Sequence, residues 1–165
     1  MVSLIVLVLN SGSSSIRFSV YETGDGEERK LHEGAVDGIG ADQGKFWIKD
    51  SKGKKLIDES PALATPAAAF KLVADALRSK DFVPPGAIGH RMVSGGPTVE
   101  KNQRITPALI EEMERYTSFA PLHTPIAIYI MREAMRLFPG IPNFVCLDTY
   151  FHRHMPEVVS RLGRS

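Results

Sequence analysis

The sequence predicts an α/β domain in which helices pack on a mixed sheet, and three observations carry that prediction. Apolar residues recur with a period of two over roughly the first 60 residues and with a period of about 3.6 beyond them. Three Thr-Pro pairs open the later segments. Two short apolar runs lie between those segments and read as buried strands. Strands first, then helix and strand in alternation, give a mixed sheet with helices laid on it.

The first element is the apolar run Leu4–Leu9, a buried strand. Asn10-Ser11-Gly12-Ser13-Ser14-Ser15 follows, made of residues that favour turns, and Ile16–Tyr21 alternates as a half-buried strand. Strand, polar turn and strand make a hairpin. Residues 23–28 form a second turn, residues 30–37 a third strand, and Lys45–Lys49 with Lys55–Ile57 flank Asp50-Ser51-Lys52-Gly53 as another hairpin. Thr65-Pro66 then opens a helix with Phe70, Val73, Ala74 and Leu77 on one face. Thr106-Pro107 opens one with Leu109, Ile110, Met113 and Tyr116, and Thr124-Pro125 opens one with Ala127, Ile130, Met131, Ala134, Leu137 and Phe138. In each pair Thr caps the helix and Pro occupies the first turn, where no N–H is needed. Pro139-Gly140 ends the third helix. The interleaved strands are centred on Ala87–His90 and Asn143–Leu147, and residues 159–165 read as a tail without an element.

Composition narrows the function classes. At 165 residues, 43% apolar and 24% charged, the chain suits one domain with its own core. A net charge of +1 gives no electrostatic footprint for nucleic acid or a membrane surface. The longest apolar run is far short of the ~20 residues that span a bilayer, and residues 1–9 lack the marks of a signal peptide. The single cysteine, Cys146, excludes an internal disulfide and fits a reducing, cytoplasmic compartment.

Four segments could carry chemistry. The turn Asn10–Ser15 can aim N–H groups and hydroxyls at phosphate oxygens, Asn10 can offer an oxygen to hydrated Mg²⁺, and Arg17 can reach a phosphate. A plain serine-rich hairpin turn is the competing reading. Gly89-His90-Arg91-Met92-Val93-Ser94-Gly95-Gly96 leaves a buried strand, and its Arg91 offers a planar fork for a carboxylate or phosphate, or else is a surface arginine at a strand exit. Phe119–Pro125 places His123 beside a helix start, where it could bond a ligand oxygen or satisfy a local backbone group; Leu122 could line an apolar pocket or belong to the core. Asp148 follows a buried strand and could orient a nucleophile or organise a metal-bound phosphate, or simply cap. His152 and His154 lack zinc spacing. Asn10, Arg91, His123 and Asp148 share one property: each falls at a strand end or in the loop after it, where α/β sheets assemble sites.

These segments resemble, in order and spacing, the landmarks of the acetate kinase family. The likeness runs from about residue 4 to residue 158, through Val8–Phe18, Gly89–Gly96, Phe119–Pro125 and Asp148–His152 with Met155-Pro156-Glu157. It implies a ribonuclease-H-like domain of the acetate and sugar kinase, heat-shock protein and actin superfamily over residues 1–158. It also implies reversible phosphoryl transfer from ATP to acetate with Mg²⁺, giving ADP and acetyl phosphate. Carried over by position, Asn10 would hold Mg²⁺, Ser13 and Ser15 would contact phosphate, and Arg17 would occupy a nucleotide-phosphate position. Arg91 would bind the substrate carboxylate, Val93 and Leu122 would wall the methyl pocket, His123 would lie near the transferred phosphoryl, and Asp148 would be the acidic catalytic residue. An apolar wall discriminates one methylene by only ~1–3 kcal/mol, so propionate or another short acyl carboxylate is a substrate alternative.

The chain departs from the family in three ways. Arg17 stands where family members usually have Lys, and Thr124 where they usually have Asn. Family members are also more than twice this length. The expectation is therefore an N-terminal domain on the acyl-substrate side of a cleft, lacking the second, nucleotide-binding domain and nearly inactive alone. The alternatives are a stand-alone acyl-phosphate-binding or regulatory module and a truncated product without a role. Family members pair as homodimers largely through the other domain, which makes a monomer an option for this chain.

Overall fold

The computed structural model describes residues 3–92, 99, 101–117 and 124–147, apart from the Thr124 side chain. One eight-stranded sheet organises them. In chain order its strands are β1 (Leu4–Ser11), β2 (Ser15–Gly24), β3 (Glu27–Asp37), β4 (Lys45–Asp50), β5 (Lys55–Glu59), β6 (Ala87–Met92), β7 (Gln103–Arg104) and β8 (Asn143–Leu147). Their spatial order is β5-β4-β3-β2-β1-β6-β8-β7. Strands β1 to β5 form an antiparallel meander. β6 joins β1 in parallel, β8 joins β6 in parallel, and β7 closes the far edge antiparallel. This is the α/β mixed sheet the sequence predicts.

The hairpins sharpen the expected turns. β1 runs on through Asn10 and Ser11, so the first turn contracts to residues 12–14. The expected turn over residues 23–28 contracts to Asp25 and Gly26, both at positive φ (57° and 77°). A two-residue loop with both residues in the left-handed region matches the twist of its flanking strands.

Three helices lie on the sheet: α1 (Pro66–Leu77), α2 (Pro107–Arg115) and α3 (Thr124–Leu137). The first two start as the Thr-Pro pairs require, since Thr65 Oγ1 accepts from Ala68 N–H at 3.2 Å and Thr106 Oγ1 from Leu109 N–H at 3.1 Å. The third helix begins at Thr124 itself, and the cap expected of that threonine lies outside the described residues. Gly140, at φ 79°, follows the third helix as expected of a stop signal.

Core clusters identify the faces. Leu7, Leu9, Phe18, Val20 and Ile88 of the sheet pack with Phe70, Val73 and Leu77 of α1 and Ile130 and Ala134 of α3. Met92, Val145 and Leu147 pack with Ile110 and Met113 of α2 and Met131 of α3. The other face carries Val6, Val8 and Tyr21, then Ala87, Phe144 and Cys146, in clusters to which no described helical residue belongs. Two expected core positions change. Tyr116, at the C-cap of α2, is 37% exposed. On α3 the buried residue is Ile128, with Ala127 half-buried, because α3 packs against both clusters and buries a wider arc than one stripe. Among the described residues no helix is long and apolar enough to cross a membrane.

Candidate active site

Register assembles the site. In β1 and β2, Asn10 lies opposite Arg17. In β1 and β6, Leu9 lies beside His90, so Arg91 comes next along β6 as Asn10 does along β1. Alternation turns all three to the face without described helices, with Val8 and Gly89 one step behind them. Arg17, Asn10 and Arg91 thus form a row across adjacent strands about 4.8 Å apart. They line one depression of about 220 Å³, together with Tyr21, Glu33 and Trp47. Among the described lining residues two guanidiniums face one carboxylate, a balance that suits an anion.

The serine turn stands above this row. Gly12 N–H donates to Ser15 C=O at 2.8 Å and closes it. Ser13 is exposed and Ser15 half-buried. Ile39 N–H reaches the Ser14 carbonyl at 3.0 Å from the stretch after β3. Arg17 Nη2 lies 3.6 Å from Asp37 Oδ1. Sequence reasoning missed Asp37, which the β2–β3 register places opposite Ser15.

His90 alternates with Arg91 and points the other way, into the core, where it is 4% exposed. Its Nε2 lies 2.8 Å from Asn143 Oδ1. Asn143 Nδ2 donates to Ile141 C=O at 2.9 Å, which leaves its Oδ1 as the acceptor and His90 Nε2–H as the donor. Burial pushes the His90 pKa down to about 4, against a smaller upward pull from the Asn143 bond. The neutral imidazole is a strand fastener here. Burial also pushes the Cys146 thiol up to about 11, so it is no nucleophile in the folded chain.

At the far side of the row, Met92 and Leu147 end β6 and β8 as register partners. Leu147 N–H donates to Asn102 Oδ1 at 2.7 Å, a second contact that the sequence did not disclose. Val93, Leu122, His123 and Asp148 lie outside the described residues. The structure therefore brings Asn10, Arg17 and Arg91 together, with Ser13 in the adjoining turn and Ser15 at the start of β2. Among the described residues no group of three or more His, Cys, Asp or Glu could hold a metal. Asn10 offers one neutral oxygen, which suits Mg²⁺ that arrives with phosphates and its own waters but does not make a cage for a bare ion.

Residues 5–161 match the profile described as the Acetokinase family. The chain belongs to that family. It is 35% identical over 153 residues to acetate kinase of Dichelobacter nodosus, covering 92% of this chain and 38% of that one. It is 36% identical over 160 residues to acetate kinase of Thermosipho melanesiensis, covering 93% and 38%. This acetokinase-family chain thus spans about 38% of the length of these relatives. Its fold is similar to that of Porphyromonas gingivalis acetate kinase in the crystal (TM-score 0.77, 28% identity, 94% of this chain and 40% of that one). A propionate kinase from Francisella tularensis matches equally, with TM-score 0.77, 29% identity, and 94% and 39% covered.

Proposed function

We propose that this chain supplies the acyl-substrate side of an enzyme that transfers a phosphoryl group between ATP and acetate or another short acyl carboxylate. The observation that carries the reading is the row Arg17–Asn10–Arg91, lining one depression beside the serine turn in a chain of the acetokinase family. Phosphoryl transfer asks a protein mainly for alignment and charge neutralisation. A guanidinium at Arg91 takes both oxygens of a carboxylate in one plane. Arg17 and the hydroxyls of Ser13 and Ser15 take phosphate oxygens, and Asn10 takes the hydrated Mg²⁺ that such phosphates carry. Bound Mg²⁺ would neutralise charge on the transferring group. The roles that family likeness gives to Val93, Leu122, His123 and Asp148 are proposed with these.

Calorimetric titration of acetyl phosphate into the purified chain, with Mg²⁺ present, tests this. Expected is saturable binding that Arg91→Ala abolishes and Arg17→Ala weakens. Absence of binding, or binding indifferent to both substitutions, would refute it. A hydroxamate assay on the same sample separates an acyl-phosphate-binding module, which gives no product, from a chain that turns over unaided.

A further inference from the structure

We infer that Asp37 is a positioning residue for the anion site: its carboxylate, 3.6 Å from Arg17 Nη2, draws the guanidinium to one side and leaves its remaining N–H groups for a phosphate oxygen. This rests on the reading that Arg17 faces phosphate. The ion pair is water-exposed, with side chains 62% and 40% accessible, so it adds little to fold stability. What it does is select one direction for a long side chain that otherwise samples many rotamers. A guanidinium carries five N–H donors in a fixed fork and serves two anions at once. An ammonium is a point charge without that division, so the carboxylate suits arginine at position 17.

The backbone makes Asp37 and the serine turn one unit. Asp37 ends β3 opposite Ser15, and two residues later Ile39 N–H bonds the Ser14 carbonyl. The intervening Gly38 sits at φ 73°, in the left-handed region, and a side chain there would come within 3.1 Å of Gly44 Cα. A side chain on Gly44 would in turn stand 2.8 Å from the Asp37 carbonyl oxygen. The stretch that fixes Asp37 also fixes the turn, so the carboxylate keeps its place relative to the groups expected to meet phosphate.

The test uses the whole chain, inorganic phosphate as probe, and the variants Asp37→Asn and Asp37→Glu. Expected in Asp37→Asn is phosphate affinity weaker by up to about fivefold, the upper end for an exposed ion pair, with Asp37→Glu recovering most of it. Equal or tighter binding by Asp37→Asn would overturn the proposal, because the carboxylate would then only compete with the anion. Relaxation of the Arg17 Nε–H signal in the phosphate-free chain reads the holding directly. Greater mobility in Asp37→Asn upholds it; unchanged mobility overturns it whatever the titration gives. Failure of the wild-type chain to bind phosphate would instead refute the phosphate reading of the turn.

Discussion

Acid should destabilise this fold through His90 before it does so through most carboxylates. The imidazole is buried and holds β6 to β8 through Asn143, with its pKa down at about 4 against 6.5 for the ordinary group. The unfolded chain therefore takes up the proton first. Stability is fully present above pH 6.5 and is lost as pH falls from there toward 4. Linkage gives a loss of about 1 kcal/mol by pH 5.5 and about 3 kcal/mol by pH 4. Asp50, Asp58 and Asp75 also have lowered pKa values, but their contributions are lost only as pH falls below 3.8. His32, lowered by burial, acts in the same direction as His90.

Urea unfolding of the wild type and of His90→Gln at pH 7.5, 6.5, 5.5 and 4.5 isolates the effect. A glutamine amide can still donate to Asn143 Oδ1 and does not titrate, so the shared terms cancel in the difference between the two proteins. Wild type should lose its advantage over the variant by about 1 kcal/mol between pH 7.5 and 5.5. Parallel pH profiles across that range would refute the assignment of a neutral, buried His90.

Three further predictions follow from packing. Gly34→Ala places a carbon 2.3 Å from Phe18 Cζ and 2.7 Å from the Trp47 carbonyl oxygen; overpacking of about 1–3 kcal/mol should lower the thermal midpoint by several degrees, and an unchanged midpoint would contradict it. Asn102→Ala removes the acceptor of Leu147 N–H; at about 1–3 kcal/mol for an orphaned group, amide exchange at Leu147 should quicken roughly five- to 150-fold, with distant amides in β2 unaffected. Cys146, with its thiol near 11 rather than 9, should alkylate about a hundredfold slower than an ordinary thiol at pH 8 on ionisation alone, and at the ordinary rate in urea; ordinary-rate labelling of the folded chain would count against its burial.

The sequence disclosed the fold wherever a local signal existed. Apolar runs located β1, β6 and β8, alternation located β2, turn residues marked off β3 to β5, and the Thr-Pro pairs located the helices. β7 escaped because two residues have no period; it exists because Gln103 and Arg104 lie against Val145 and Phe144. Ile128 escaped because a single stripe was assumed for a helix wedged between two clusters. At the site, Asn10 and Arg91 were legible as residues at strand ends, and Arg17 as a cation just inside the strand after the serine turn. Their convergence in one depression depends on pairing across three strands. Asp37 and Asn102 escaped for the same reason: each meets its partner only through register or a long closure, 45 residues in the case of Asn102 and Leu147. The roles proposed for Val93, Leu122, His123 and Asp148 rest on family likeness alone, since these residues lie outside the described ones.

β6 shows why the stability and chemistry of this chain are adjacent but separable. Its period of two sends Ile88, His90 and Met92 toward the helices and Gly89 and Arg91 toward the face that carries Asn10 and Arg17. A slip of one residue would bury the Arg91 guanidinium and expose Ile88, Met92 and the imidazole, a cost no pairing energy offsets. Gly89 reinforces the register, since a side chain there would come within 3.2 Å of Cys146 Sγ, on the face opposite α1 to α3. The place of Arg91 is thus set by what its neighbours bury. Loosening β6 at His90 or Asn143 should therefore reach ligand binding through the backbone, with stability and affinity falling together. A substitution at Arg91 should act on affinity first. Affinity that holds while His90→Gln loses stability would show that the row is fixed by something other than this strand's alternation.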